Sequence, residues 1–224
     1  MPAIYDTLLV KLVEEARGQD DVLGILLTGS LARGDALPGT DIDLRFILAD
    51  GISRSSDSAM RDGVLVERGY ADLATACANL DARPMNVYAY LDGQILHDPQ
   101  DVLARLTQQA RQRYDTYRTS EQERAQIAFL LGCSRDKISV ALKGGDLLKA
   151  AFVTGTSSWG IMEGLWAANN RPLPPNSSVR PHLRDLTEGP ADIDNLYRQL
   201  FLADTSQRVQ VALDLIEWIL DRLG

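Results

Sequence analysis

Gly29-Ser30-Leu31-Ala32-Arg33-Gly34, then Asp35 to Thr40, then Asp41-Ile42-Asp43-Leu44, is the stretch on which the reading of this 224-residue chain turns. Before it lies Val22-Leu23-Gly24-Ile25-Leu26-Leu27-Thr28, a short apolar run that predicts a buried strand. Gly29 to Thr40 holds three glycines and a proline and reads as a loop. A glycine there lets backbone approach a ligand, exposed N–H groups can hold phosphate oxygens, and the Ser30 hydroxyl adds a donor. Residues 41–48 then alternate. Ile42, Leu44, Phe46 and Leu48 take one face of a strand, while Asp41, Asp43 and Arg45 take the other.

Residues i and i+2 of a strand point the same way, so Asp41 and Asp43 set two carboxylates side by side at a strand end. Such a pair stays ionised most readily with cations between its members. Hard oxygen ligands suit magnesium, which shares its shell with substrate phosphates. Two such ions, about 3.5–4 Å apart, can clamp the attacking and leaving oxygens of an in-line displacement. A third carboxylate completes the set. Glu67 is the first candidate, because it sits among Val64, Leu65 and Val66, where a charge is costly unless it points at a site. Asp72 is the alternative.

The elements further out follow by periodicity. Residues 3–17 carry Ile4, Leu8, Leu9, Leu12 and Val13 at helical spacing. A third strand is expected at 63–70, a short helix at 71–81 and a fourth strand at 85–91. After Asp98-Pro99 the pattern is helical. Ser120 and Glu123 form a capping-box signature for a helix over 121–143. Gly144-Gly145 ends it, and Asp146 caps a second helix to about 168. Shorter helices are expected at 179–187 and 191–203. A last helix, for which Asp204, Thr205 and Ser206 offer N-caps, runs to 223, with Val209, Leu213, Ile216 and Leu220 on one stripe. Trp159 and Trp166, seven apart, read as core, and His97 as a turn residue.

Composition narrows the function. The chain has 23 Lys+Arg against 31 Asp+Glu and a net charge of −8. Residues 1–118 hold 12 basic and 18 acidic side chains, and 119–224 hold 11 and 13, so neither half has the basic footprint of a nucleic-acid binder. An acidic surface suits a cationic small molecule. No apolar run approaches the roughly 20 residues of a membrane span. The first twenty residues are amphipathic and acidic, unlike a secretory signal. Two cysteines, Cys77 and Cys133, make no disulfide framework and read as buried thiols in a reducing, cytoplasmic setting. Two histidines, His97 and His182, are too few for a multi-histidine zinc site.

The Gly-Ser-x-Ala-Arg-Gly segment, followed at short range by Asp-Ile-Asp-Leu, resembles the nucleotidyltransferase superfamily related to DNA polymerase beta. The likeness covers roughly residues 20–70. It implies an α+β fold: a nucleotidyltransferase domain over 1–118, with a small mixed sheet and flanking helices, then an all-helical substrate-binding domain over 119–224. It implies that Gly29 and Ser30 hold a nucleoside triphosphate, ATP first, and that Asp41, Asp43 and Glu67 hold two Mg2+ ions. Arg33 either lines the nucleotide site or pairs with Asp35, and Arg45, on the Asp41/Asp43 face, reads as an ion-pair partner before a substrate contact. Within the superfamily the layout is similar to kanamycin and other aminoglycoside nucleotidyltransferases, down to the Val64-x-Val66-Glu67 strand and a linker-like Gly93 to Leu106. The implied reaction moves AMP to a hydroxyl of a small acceptor and releases pyrophosphate. Some of those relatives draw a catalytic base from the helical half. Here that maps to Asp136, whose alternative is an exposed residue paired with Arg135 or Lys137. Some relatives complete the site across a dimer, so a homodimer is compatible. Competing readings are a protein-modifying, antitoxin-like adenylyltransferase, which the long helical half disfavours, and a non-catalytic nucleotide-binding regulator, which the intact Asp41/Asp43 pair disfavours.

Overall fold

A computed structural model describes residues 3–224. The chain divides into two compact units, Met1–Asp115 and Thr116–Gly224. The first is α+β and carries a small mixed sheet; the second is helical.

In the first unit, helix α1 (Ala3–Arg17) leads into strand β1 (Val22–Thr28), the one-and-a-half-turn helix α2 (Gly29–Arg33) and strand β2 (Ile42–Leu48). Strands β3 (Asp57–Arg61) and β4 (Val64–Asp72) follow. Then come helices α3 (Leu73–Ala82) and α4 (Val87–Leu91), strand β5 (Gln94–His97) and helix α5 (Val102–Thr116). The sheet order is β3-β4-β2-β1-β5. β2 and β4 run parallel, and the other neighbours are antiparallel. Each face of the sheet is packed differently. Ile25, Leu27, Ile42, Leu44, Phe46 and Leu48 pack with Leu8 and Leu12 of α1. Leu26 and Ile47 face the other way, against Leu80 of α3, Tyr88 of α4 and Leu103 of α5.

Several expectations need correction. Residues 85–91 are not a strand: a 3-10 turn at Pro84–Asn86 runs into α4. A short apolar run cannot by itself separate a strand from a buried helix, and Val87, Tyr88 and Tyr90 are all buried here. The Gly29–Thr40 loop begins as α2 rather than as coil. His97 belongs to β5, opposite Ile25, and not to a turn. β3 is not expected from the sequence because its residues, Asp-Ser-Ala-Met-Arg, do not alternate in polarity and lie on the sheet edge. Its signal is Asp62-Gly63, both at positive φ (51° and 81°), as the tight hairpin turn requires. Gly93 to Leu106, taken as a linker, contributes β5 and the start of α5 to the first unit.

The second unit contains α6 (Glu121–Lys143), α7 (Leu147–Ala168), α8 (Val179–His182), α9 (Ile193–Leu202) and α10 (Thr205–Leu223). Its caps are those the sequence announces. Ser120 accepts from the Glu123 N–H and the Glu123 side chain reaches back to Ser120 N. Asp146 accepts from Lys149 N, and Asp204 from Gln207 N. The core joins Leu131 and Ile138 of α6, Ile161 and Leu165 of α7 and Ile216 and Ile219 of α10. On α10 the buried stripe runs through Val209, Ala212, Ile216, Ile219 and Leu223, leaving Leu213 and Leu220 at its edge. Trp166 is core, but Trp159 is 40% exposed. Cys77 and Cys133 are free and half-buried rather than buried.

Candidate active site

The site grows from the β1–α2–β2 crossing. Thr28, the last residue of β1, pairs with Asp43 of β2, and its hydroxyl donates to the Asp43 carbonyl at 3.4 Å. Gly29 then turns the chain at φ 72°. This glycine is required twice over. An added Cβ would sit in a strained conformation and only 2.1 Å from Asp43 Oδ2. The loop between α2 and β2 is pinned by its side chains. Ser30 Oγ and Thr40 Oγ1 share a hydrogen bond of 2.8 Å, Tyr5 OH donates to the Thr40 carbonyl at 2.9 Å, and Gln94 Nε2 donates to the Ala32 carbonyl at 2.7 Å. The Gly-Ser turn and the start of β2 are therefore tied together, which fixes Asp41 beside it.

Asp43 stands directly opposite Glu67 across the parallel β2–β4 pair. The side chains of Asp41, Asp43 and Glu67 converge, each offering a carboxylate oxygen within 4.8 Å of the others'. Asp41 and Asp43 are half-buried and Glu67 is exposed. Burial pushes the Asp43 carboxyl above its ordinary value of 3.8, the charges of Asp41 and Glu67 push it further, and Arg45 and Arg33 pull it back. An all-oxygen set that repels itself fits a hard divalent cation: magnesium–oxygen bonds of about 2.0–2.1 Å need ligands held roughly this close. Asp72, the alternative third acid, is committed elsewhere. It caps α3, accepting from Thr75 N at 2.8 Å, and accepts from Gly51 N at 3.1 Å, which holds its carboxyl below the usual range.

Asp43 and Glu67 border an open cleft of about 870 Å³ in the first unit. Its floor is the outward row of β2 and β4, where Gly69 and Ala71 leave room beside Arg45 and Ile47. Asn79 of α3, Tyr90 of α4 and, in the turn between those helices, Arg83 and Asn86 wall it. These wall residues were not singled out from sequence, because the misread strand at 85–91 hid their shared side. Arg45 is exposed and lines this cleft; its charge lowers the Asp43 carboxyl without a close ion pair. Arg33 meets both Asp35 at 3.3 Å and Asp92 at 3.7 Å, with only 11% of its side chain exposed. Asp136 lies on α6 in the second unit, 69% exposed, with Arg135 at 3.0 Å.

Residues 9–89 match the family defined as the nucleotidyltransferase domain. The first unit carries a nucleotidyltransferase domain. The matched span begins within α1 and ends in α4, so it encloses Gly29, Ser30, Asp41, Asp43 and Glu67. Among solved structures, a nucleotidyltransferase-like protein from Exiguobacterium sibiricum is similar over 94% of this chain and 72% of its own, at 18% identity and a TM-score of 0.46. That likeness is too loose to support a functional argument. No curated protein matches the sequence significantly. Among the described residues no helix is long and apolar enough to cross a membrane.

Proposed function

We propose that this nucleotidyltransferase moves the nucleoside monophosphate of a triphosphate, AMP from ATP, to a hydroxyl of a small molecule. The observation that carries this reading is the convergence of Asp41, Asp43 and Glu67 beside a turn that only glycine fits. The Gly29-Ser30 turn supplies backbone N–H groups and a hydroxyl for the triphosphate, and Arg33 adds charge at its end. Asp41, Asp43 and Glu67 would hold two magnesium ions, whose chemistry is to neutralise the phosphate charge and make the acceptor oxygen a better nucleophile. Phosphoryl transfer asks of the protein mainly position and charge, and both would come here from residues on or beside the neighbouring strands β2 and β4. The acceptor's hydroxyl proton goes to a carboxylate, and we assign that role to Asp136 on the family resemblance. A base must come within hydrogen-bond reach of the proton it takes.

The acceptor we propose is a hydroxylated, cationic molecule of the aminoglycoside type, consistent with the acidic balance of the chain. Two free thiols fit a cytoplasmic setting. The test is pyrophosphate release from ATP and magnesium across a panel of hydroxylated acceptors. Acceptor-dependent release, lost in Asp41→Asn and Asp43→Asn, supports the mechanism. Equal release by those variants and the parent rejects it. Loss of release in Asp136→Asn with nucleotide binding intact supports the base assignment, and unchanged release rejects it.

A further inference from the structure

The cleft beside the carboxylates holds a polar group that the fold leaves unsatisfied. Tyr90 of α4 is only 5% exposed and lines the cleft. Among the described residues its hydroxyl has no hydrogen-bond partner. A buried tyrosine normally bonds through its oxygen, so this one points to a group that enters the cleft. Burial pushes the hydroxyl above its ordinary 10.0 and the charge of Arg45 draws it back, so it keeps its proton at neutral pH. The floor nearby is kept empty. Gly69 of β4 stands opposite Arg45 in the β2–β4 register. Its φ is not left-handed, and an added Cβ would meet only the Leu44 carbonyl, at 3.9 Å. Neither backbone nor packing asks for glycine there, in a strand where a branched side chain is favoured. With Ala71 two residues on, it leaves a bare strip of strand on the cleft floor.

We infer that this strip is the slot for the nucleobase, and that Asn86 makes it select bases with an exocyclic amine, adenine or cytosine, over their keto counterparts. The inference rests on the reading above in which the carboxylates hold a metal-bound triphosphate. Asn86 Nδ2 donates to the Asn79 main-chain carbonyl at 2.8 Å. A carbonyl oxygen only accepts, so the amide nitrogen must face it and the amide cannot be flipped. The Asn86 oxygen is left without a partner among the described residues, on a side chain that lines the cleft. It can accept from the 6-amino group of adenine or the 4-amino group of cytosine. A keto oxygen in the same place sets lone pair against lone pair. The Tyr90 hydroxyl, which turns to donate or accept, bonds a ring nitrogen.

Charge separates the base from the acceptor. Arg45 and Arg83 line the cleft, and neither makes an ion pair among the described residues. Arg68, the third arginine there, is paired with Asp57 at 3.3 Å. Two unpaired guanidinium groups repel a cationic acceptor of the kind proposed above. A neutral, planar base meets no such repulsion, and a guanidinium plane can stack on it.

Calorimetric titration of the full chain in magnesium tests the slot. The probes are the α,β-methylene analogues of ATP, CTP, UTP and inosine triphosphate, together with inorganic tripolyphosphate. The ATP and CTP analogues are expected to bind roughly tenfold or more tightly than the inosine and UTP analogues, the worth of one well-placed base contact. This comparison needs no variant. In Gly69→Val, which fills the strip, all four analogues are expected to fall to the affinity of tripolyphosphate, while tripolyphosphate itself binds as before. Asn86→Ala is expected to bring the ATP analogue down to the affinity of the inosine analogue. Thermal melts confirm that both variants fold. Equal binding of the ATP and inosine analogues by the parent overturns the amine selection, and unchanged nucleotide affinity in Gly69→Val overturns the slot. Binding of all five probes at one affinity defeats the slot alone. Binding of none of them defeats the transferase reading, and the slot with it.

Discussion

The two units hold their information in opposite places. In the second unit, polar residues at helix ends announce the structure: Ser120 with Glu123, Asp146 and Asp204 each cap the helix they precede. No motif in that unit announces chemistry, and Asp136 enters the account only through the family resemblance. In the first unit, polar residues sit where a buried strand should be apolar, and they announce chemistry while saying less about structure. β2 shows this within seven residues: Ile42, Leu44, Phe46 and Leu48 are buried on one face, while Asp43 and Arg45 look into a cleft on the other. A polar side chain that closes a helix is explained by the bond it makes. One that borders a cavity among its own charge makes no such bond, and the proposed function supplies the ligand it would meet.

That contrast is broken or sharpened by substitution. The largest effect is expected at the carboxylates. Asp41→Asn or Asp43→Asn should lower turnover by at least on the order of 10²–10³-fold, the loss seen when one group that stabilises transition-state charge is removed. Steady-state pyrophosphate release measures it, and a loss below tenfold would count against the site. Next comes Gly29→Ala. Its methyl meets Asp43 Oδ2 and its φ is left-handed, so we expect a cost of roughly 1–3 kcal/mol in stability together with loss of divalent-cation binding. Thermal melts with and without magnesium separate the two. An alanine variant that melts and binds like the parent would show that the turn is not held as described.

In the second unit Ser120→Ala should cost about 1 kcal/mol, the worth of an N-cap, and lower the Tm by about 2–4 °C in a chain of this size. Turnover of the folded enzyme should hold. A tenfold fall in turnover at unchanged stability would show that the helix end has a chemical role and would dissolve the contrast drawn above.

The subtlest effect is the most telling in sign. The folded state raises the Asp43 carboxyl above its ordinary 3.8, through burial and then through Asp41 and Glu67. Ionised Asp43 therefore destabilises the cation-free fold as pH rises through that raised value. Asp43→Asn should melt higher than the parent at pH 7, and the gain should vanish as pH falls below about 3.8. Magnesium should reverse the order, because a ligand that binds only the native parent at 100 times its Kd adds about 2.7 kcal/mol. Melts across pH, with and without the cation, decide it. A variant less stable than the parent at neutral pH without cation would contradict the electrostatics.

How much was legible in advance follows the same division. β1 ends at Thr28 as the apolar run does, and α6 runs Glu121–Lys143 between its capping box and Gly144. These are places where local chemistry and tertiary packing agree. Residues 85–91 were misread because valine and tyrosine suit a strand and a buried helix equally, and only packing against α5 decides between them. β3 was missed because an edge strand buries too little to impose alternation. The convergence of Asp41 and Asp43 could be read from a period of two. That Glu67 and not Asp72 completes it depends on the β2–β4 register, which sets Glu67 opposite Asp43 and leaves Asp72 to cap α3. The cleft wall of Asn79, Arg83, Asn86 and Tyr90 needs the turn at Pro84 to come together, and no local pattern encodes that.

Calorimetric titration of the protein with a non-hydrolysable ATP analogue, in magnesium and in chelator, tests the central claim most directly. The account predicts nucleotide binding that requires magnesium and is lost when Asp41 and Asp43 are both changed to Asn. Binding of equal strength in chelator, or in that double variant, would contradict it.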